Sequence, residues 1–123
     1  MILVDTSIWI DHFRHGDEHL IQLLQAGRVI SHTFIIGELA LGCLKNRNTI
    51  LDSLKDLPQA VVATDTEVMR FIDENTLFGK GIGFIDAHLL AAARLTPGSR
   101  LWTRDKRLLT VAATLNLAHL ATH

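Results

Sequence analysis

The chain has 123 residues, of which 48% are hydrophobic, and its 12 lysines and arginines against 13 aspartates and glutamates leave a formal net charge of −1. A chain of this size and apolar content builds one core, which argues against disorder and against a scaffold held by disulfides. The balanced charge excludes a protein that coats nucleic acid or clings to membranes through bulk basicity, but not an enzyme whose positive charge is local.

The elements run as short apolar stretches alternating with helical patterns. Ile2-Leu3-Val4 reads as a strand, and Asp5-Thr6-Ser7 offers N-cap side chains for a helix through Ile8 to Phe13 that breaks near Gly16. Residues 18–25 form a second helix ended by Gly27. Val29-Ile30 is a second strand, leading through Ser31-His32-Thr33 into a helix from Phe34 to about Leu44. A helix over residues 47–56 stops before Pro58, and Val61-Val62-Ala63 reads as a third strand. Thr64-Asp65-Thr66-Glu67 is a capping box that opens a helix to Leu77. Phe84 to Leu95 is the next helix, closed by Thr96-Pro97-Gly98. Leu101-Trp102-Thr103 is a fourth strand, Lys106 to Leu115 a helix, and Leu117 to Leu120 a last short strand. Continuous apolar strands between helices predict a three-layer α/β/α domain around a central, mainly parallel sheet, with residues 1–123 as one unit.

The lone cysteine, Cys43, has no partner for an internal disulfide and points to a reducing, cytoplasmic setting. Met1 to Val4 meet Asp5 too early for a signal peptide, and no run of about 18 apolar residues offers a membrane span.

Four acids stand out. Asp5 ends an apolar strand, where open α/β sheets place ligand-binding residues, although a helix cap explains it as well. Glu38 is the only charge from Val29 to Leu44, and Phe34, Ile35, Leu41 and Gly42 at helical spacing make its face apolar. An ionised carboxylate there asks for a metal or a buried ion-pair partner, and no basic residue lies within a helical turn. Asp86 is the only charge from Gly81 to Ala93; its ordinary alternative is an aspartate meeting a helix dipole. Asp105 follows the strand 101–103, where capping is the simpler reading of that residue alone. All four fall near strand exits or helix starts, which in a parallel sheet is one edge of the molecule. Carboxylates converging there repel one another unless a hard divalent cation compensates them, and an oxygen-only donor set suits magnesium or manganese rather than zinc. Such ions also bind phosphate oxygens, so the implied chemistry is phosphodiester hydrolysis.

The order Val4-Asp5-Thr6-Ser7, Gly37-Glu38-Leu39, Gly81-x4-Asp86-Ala87 with Ala91-Ala92, and Thr103-x-Asp105 resembles the PIN-domain nucleases, and within them the VapC toxins of bacterial and archaeal toxin–antitoxin pairs. The likeness runs from Ile2 to about His119. It implies a parallel-sheet α/β fold, endoribonuclease activity dependent on Mg2+ or Mn2+, a homodimer, and a cognate antitoxin that blocks the site. By position, Asp5, Glu38 and Asp86 match the family's acidic triad and Asp105 a fourth acid used more variably. Thr103 matches the polar residue before that acid, and Thr6 or Ser7 the small hydroxyl residue after the first aspartate. His88 departs from the apolar side chain expected two residues after Asp86; it is either a substrate contact or a partly buried helix histidine.

On this reading Asp5, Glu38, Asp86 and Asp105 hold one or two metal ions, while Ser7 and Thr103 orient carboxylates or water. Arg104, Lys106 and Arg107 flank Asp105 and are the expected contacts to RNA phosphates, with ordinary surface charge as the alternative. Trp9 and Trp102 read as core or interface residues rather than base-stacking platforms, and His15-x3-His19 is interrupted by Gly16 and has no evident third ligand. A haloacid-dehalogenase-type phosphatase needs a second aspartate where Ser7 stands. Two competing roles remain on the sequence alone: a non-catalytic metal-binding scaffold, and a housekeeping RNA or DNA nuclease.

Overall fold

A computed structural model describes residues 1–121. Its elements run β1 (Ile2–Val4), α1 (Thr6–His15), α2 (Glu18–Gln25), β2 (Val29–Ile30), α3 (Thr33–Ala40), α4 (Arg47–Asp56), α5 (Asp65–Glu74), α6 (Phe84–Leu95), β3 (Arg100–Trp102) and α7 (Lys106–Thr114). The strands form one parallel sheet in the order β2-β1-β3. Ile2 and Leu3 lie opposite Val29 and Ile30 on one side, and Ile2, Leu3 and Val4 opposite Arg100, Leu101 and Trp102 on the other. Isolated parallel bridges extend both edges, Ser31 with Gln59 and Leu101 with Ala118.

Successive strand residues point to opposite faces, yet Ile2, Leu3 and Val4 are all buried. Both faces of the central strand are therefore covered, which is the layered α/β arrangement that continuous apolar strands imply. The core joins these residues to Ile8 and Trp9 of α1, Ile35 and Leu39 of α3, Leu89 and Leu90 of α6, and Leu108 of α7. Trp9 and Trp102 both lie in this core, as their apolar surroundings predict.

Several boundaries differ from the sequence reading. The strand expected at Val61–Ala63 does not form. Pairing occurs two residues earlier, where Ser31 N–H donates to Pro58 O and Ala60 N–H to Ser31 O. Val61 and Val62 then leave the sheet half-exposed, with Val61 N–H donating to Thr96 Oγ1 at 2.9 Å. A β-branched doublet at a sheet edge carries the same signal as a buried strand, and only the partner decides. The strand expected at Leu117–Leu120 contracts to the single bridge at Ala118. The helix α3 ends at Ala40 rather than near Leu44, with Leu41 as its cap and fully exposed to solvent. The helix α5 ends at Glu74 rather than Leu77, because Thr76 takes a left-handed φ of 54°. Among the described residues no helix is long and apolar enough to cross a membrane.

His32 is the N-cap of α3, its Nδ1 accepting the Phe34 N–H at 2.9 Å, and its side chain is completely buried. Burial, reinforced by the nearby His88, pushes its pKa down from 6.5 to about 4. The unfolded chain therefore binds a proton between these values that the folded chain refuses, so stability falls as pH drops from 6.5 to about 4. The shift corresponds to about 3 kcal/mol at most. Urea midpoints measured across this window should fall for the wild type and fall less for His32→Asn, which keeps an acceptor for the cap but cannot titrate. Parallel curves for the two proteins would refute this.

Candidate active site

The site is assembled on Asp5, the first residue beyond β1. Its backbone N–H donates to Trp102 O at 2.9 Å, which carries the β1–β3 pairing one step past the strand. Its carboxylate caps α1, with Oδ1 accepting the Thr6 N–H at 2.8 Å. The other oxygen, Oδ2, accepts Thr103 Oγ1–H at 2.8 Å and Ser7 Oγ–H at 3.3 Å. Thr103 in turn accepts the Asp105 N–H at 3.1 Å, and Asp105 Oδ1 caps α7 by accepting the Leu108 N–H at 3.0 Å. One hydroxyl thus ties the two aspartates that follow neighbouring parallel strands.

Glu38 comes from α3 and Asp86 from the first turn of α6. Thr6 Oγ1–H donates to Glu38 Oε1 at 3.1 Å, and Gly83 N–H donates to Asp86 Oδ2 at 3.0 Å. The apolar neighbours of Glu38 predict burial, but its side chain opens to solvent, because its helix ends at Ala40 and Leu41 turns outward. Both residues have pKa values above the usual carboxylate range. For Glu38 the main cause is partial desolvation, opposed by the Thr6 hydrogen bond and then reinforced by the charges of Asp5 and Asp86. For Asp86 it is again desolvation, opposed by Gly83 N–H and reinforced by Asp5 and Asp105. The four acids therefore share one electrostatic field. As placed they do not close on a point: among the described residues no three Asp, Glu, His or Cys side chains are disposed to enclose an ion.

The hydroxyls of Thr6 and Ser7 serve different acids. Ser7 supports Asp5, whereas Thr6 alone reaches Glu38 across 32 positions of sequence. The signal for Thr6 lies in the sequence as the hydroxyl next to Asp5, but its partner is visible only in three dimensions. Gly81 of the Gly81-x4-Asp86 pattern has a φ of 79°, and a Cβ there would sit 2.8 Å from Arg107 Cδ. The motif's glycine thus lets the Arg107 side chain lie against the loop that leads to Asp86.

The three basic residues around Asp105 differ in their surroundings. Lys106 and Arg107 are exposed. Arg104 instead pairs with two carboxylates: its Nε lies 3.1 Å from Asp11 Oδ2 as an ion pair, and its Nη2 donates to Asp17 Oδ2 at 2.8 Å. Asp17 is only 7% exposed and caps α2 through the Leu20 N–H, so Arg104 ties the middle of α1 and the start of α2 to the loop that carries Asp105. Gly16, with a φ of 74°, ends α1 between His15 and His19, and the Nε2 atoms of His19 and His119 lie 2.8 Å apart. A groove of about 740 Å³, lined by Ile10, Phe13, Leu39 and Leu44 with Arg14 and Lys45, opens beside Glu38.

Arg104→Ala should destabilise the protein by about 1–2 kcal/mol, because it strands the Asp17 carboxylate while the exposure of the guanidinium tempers the loss. Arg104→Lys should recover only part of this, since an ammonium cannot span both carboxylates in fork geometry. Urea denaturation checks both, and a wild-type midpoint for Arg104→Ala would refute the bracing role.

Comparison with known proteins agrees with this geometry. The PIN domain family pattern matches residues 2–114. Ribonuclease VapC32 of Mycobacterium tuberculosis, in strains CDC 1551 / Oshkosh and ATCC 25618 / H37Rv, is 47% identical over 118 residues, covering 96% of this chain and 95% of the relative. With a parallel α/β sheet and the ordered acids Asp5, Glu38, Asp86 and Asp105 at its strand and helix ends, the chain belongs to the PIN-domain family, among its VapC-type nucleases.

Proposed function

We propose that the chain is a Mg2+- or Mn2+-dependent endoribonuclease, the toxin of a toxin–antitoxin pair, in which Asp5, Glu38, Asp86 and Asp105 hold the metal and carry the active site. The observation that carries this reading is the gathering of four carboxylates within one another's electrostatic reach, where partial desolvation and neighbouring acids raise the pKa of Glu38 and of Asp86. The donor set fits a hard cation. All four groups are carboxylates, and among the described residues Glu38 Oε2, Asp86 Oδ1 and Asp105 Oδ2 accept no hydrogen bond, leaving one oxygen of each for a ligand. Binding requires the side chains to rotate toward a common point.

When bound, the ion supplies Lewis-acid activation of a water for in-line attack on phosphorus and charge compensation of the leaving 3′ oxygen. The protein's own groups do the positioning. Thr103 and Ser7 hold Asp5 in one orientation, and Thr103 couples that orientation to Asp105. Thr6 holds Glu38 against the start of α1. Lys106 and Arg107 are exposed and can meet backbone phosphates of the RNA, Arg107 from its place against the Gly81 loop, while Arg104 reaches RNA only by giving up its carboxylates. The name of the relative, a ribonuclease of the VapC type, supports RNA as the substrate and a cognate antitoxin as the partner. A homodimer, a cytoplasmic setting and action as one domain complete the proposal.

Asp5→Asn and Asp86→Asn should each lower RNA cleavage at least about a hundredfold without unfolding the protein, and EDTA should abolish cleavage until Mg2+ or Mn2+ is restored. Wild-type rates in a folded variant, or cleavage indifferent to EDTA, would overturn the assignment. Reversing charge at Lys106 and Arg107 together should weaken RNA binding and flatten its dependence on log[salt] by about 0.7 for each phosphate no longer neutralised. An unchanged slope would assign both residues to ordinary surface charge.

A further inference from the structure

His88 takes no part in the proposed chemistry, yet its surroundings are specific. It lies in the middle of α6, 1% exposed. Its Nε2 is 3.0 Å from Oδ1 of Asp65, the first residue of α5, and that carboxylate is otherwise 83% exposed. Its ring meets Phe34 of α3 edge-on with centroids 4.8 Å apart, and Phe84 of α6 at 4.8 Å and 90°. Phe34 packs in turn on His32, the N-cap of α3, at 5.1 Å.

Space-filling alone does not account for a histidine here. A leucine would fill the gap between two phenylalanines without burying a polar ring, and His88 Nδ1 is buried with no partner among the described residues. What a leucine lacks is the bond to Asp65, which fixes the ring's rotation from a third helix.

The position matters for the carboxylates. Phe34 and Glu38 are one turn apart on α3 and share a face, whereas His88, two residues after Asp86 on α6, points to a different face of that helix and can act on Asp86 only through the placement of α6 itself. A ring wedged against Phe34 and clamped by Asp65 therefore limits how α3 approaches α6. We propose that His88, oriented by Asp65, is a positioning residue that sets the spacing between the Glu38 and Asp86 carboxylates. This inference rests on the metal-holding role of those carboxylates.

The test is Mn2+ affinity by titration calorimetry, with single-turnover and steady-state RNA cleavage and urea stability measured on the same proteins. Asp65→Ala, at an exposed position, and His88→Leu, of similar volume, should bind Mn2+ roughly three- to tenfold more weakly, somewhat less than the loss typical of groups bonded directly to a ligand. Their kcat should fall with KM for RNA unchanged. Asp65→Asn, which keeps an oxygen acceptor for Nε2–H, should hold close to wild-type affinity. Wild-type Mn2+ affinity in folded Asp65→Ala and His88→Leu would overturn the proposal, as would equal losses in Asp65→Ala and Asp65→Asn, which would trace the effect to charge. Should His88→Leu fail to fold, the two Asp65 variants decide alone. Loss of Mn2+ binding in Asp86→Asn beside intact binding in the Asp65 variants would reject this inference and keep the metal reading. A wild-type protein that binds no Mn2+ rejects both.

Discussion

The hydrogen bond from Thr103 Oγ1 to Asp5 Oδ2, 2.8 Å long, joins groups 98 positions apart in the chain. It exists because β1 and β3 are parallel neighbours in register, so the residues just past their ends emerge side by side. Asp5 meanwhile caps α1 and Asp105 caps α7, so the same few atoms end two strands, start two helices and place two carboxylates. Each capping bond adds about 1 kcal/mol of local stability. Their larger effect is positional: both oxygens of Asp5 accept hydrogen bonds, and Asp105 is held by its cap with Oδ2 left open. Disturbing this corner would disturb fold and site together.

Gathering carboxylates at one edge works against stability, and the fold answers by keeping the cluster half open. Glu38 and Asp105 reach solvent while Asp5 and Asp86 are half-buried, and partial desolvation raises the pKa of Glu38 and of Asp86. The whole-chain charge conceals this. With the four acids set apart, the remainder is 12 basic residues against 9 acidic, a mild positive excess over the rest of the chain. That is an arrangement for meeting a polyanion at one point, and it suits a nuclease better than a nucleic-acid coat.

The basic residues show how far local sequence can be read. Arg104, Lys106 and Arg107 look alike beside Asp105, and nothing within a turn of Arg104 announces Asp11 and Asp17. Those acids reach it because α1, the Gly16 turn and the start of α2 fold back under the β3–α7 loop. The same limit governs Val61-Val62-Ala63, whose β-branched residues suit a strand but find no partner, while Gln59 pairs with Ser31 instead. Glu38 shows it as well. Its apolar neighbours were legible, but its exposure depends on where α3 stops, and a helix end is settled by how the next stretch of chain packs. By contrast the capping box at Thr64 and Glu67 forms as its sequence predicts, because all of its partners lie within four residues.

The amino-acid sequence by itself determined the parallel α/β class and the alternation of its elements, and it singled out the four acids as candidates. Each of these rests on periodicity, capping chemistry or an unpaired charge in an apolar window, all of which are local. Tertiary structure alone decided which hydroxyl serves which carboxylate, that Arg104 is an internal brace, and that His88 locks α5 and α6 against the helix of Glu38. These are pairings between elements far apart in the chain. Their energies come from burial and from hydrogen-bond geometry, which do not exist until the chain has closed on itself.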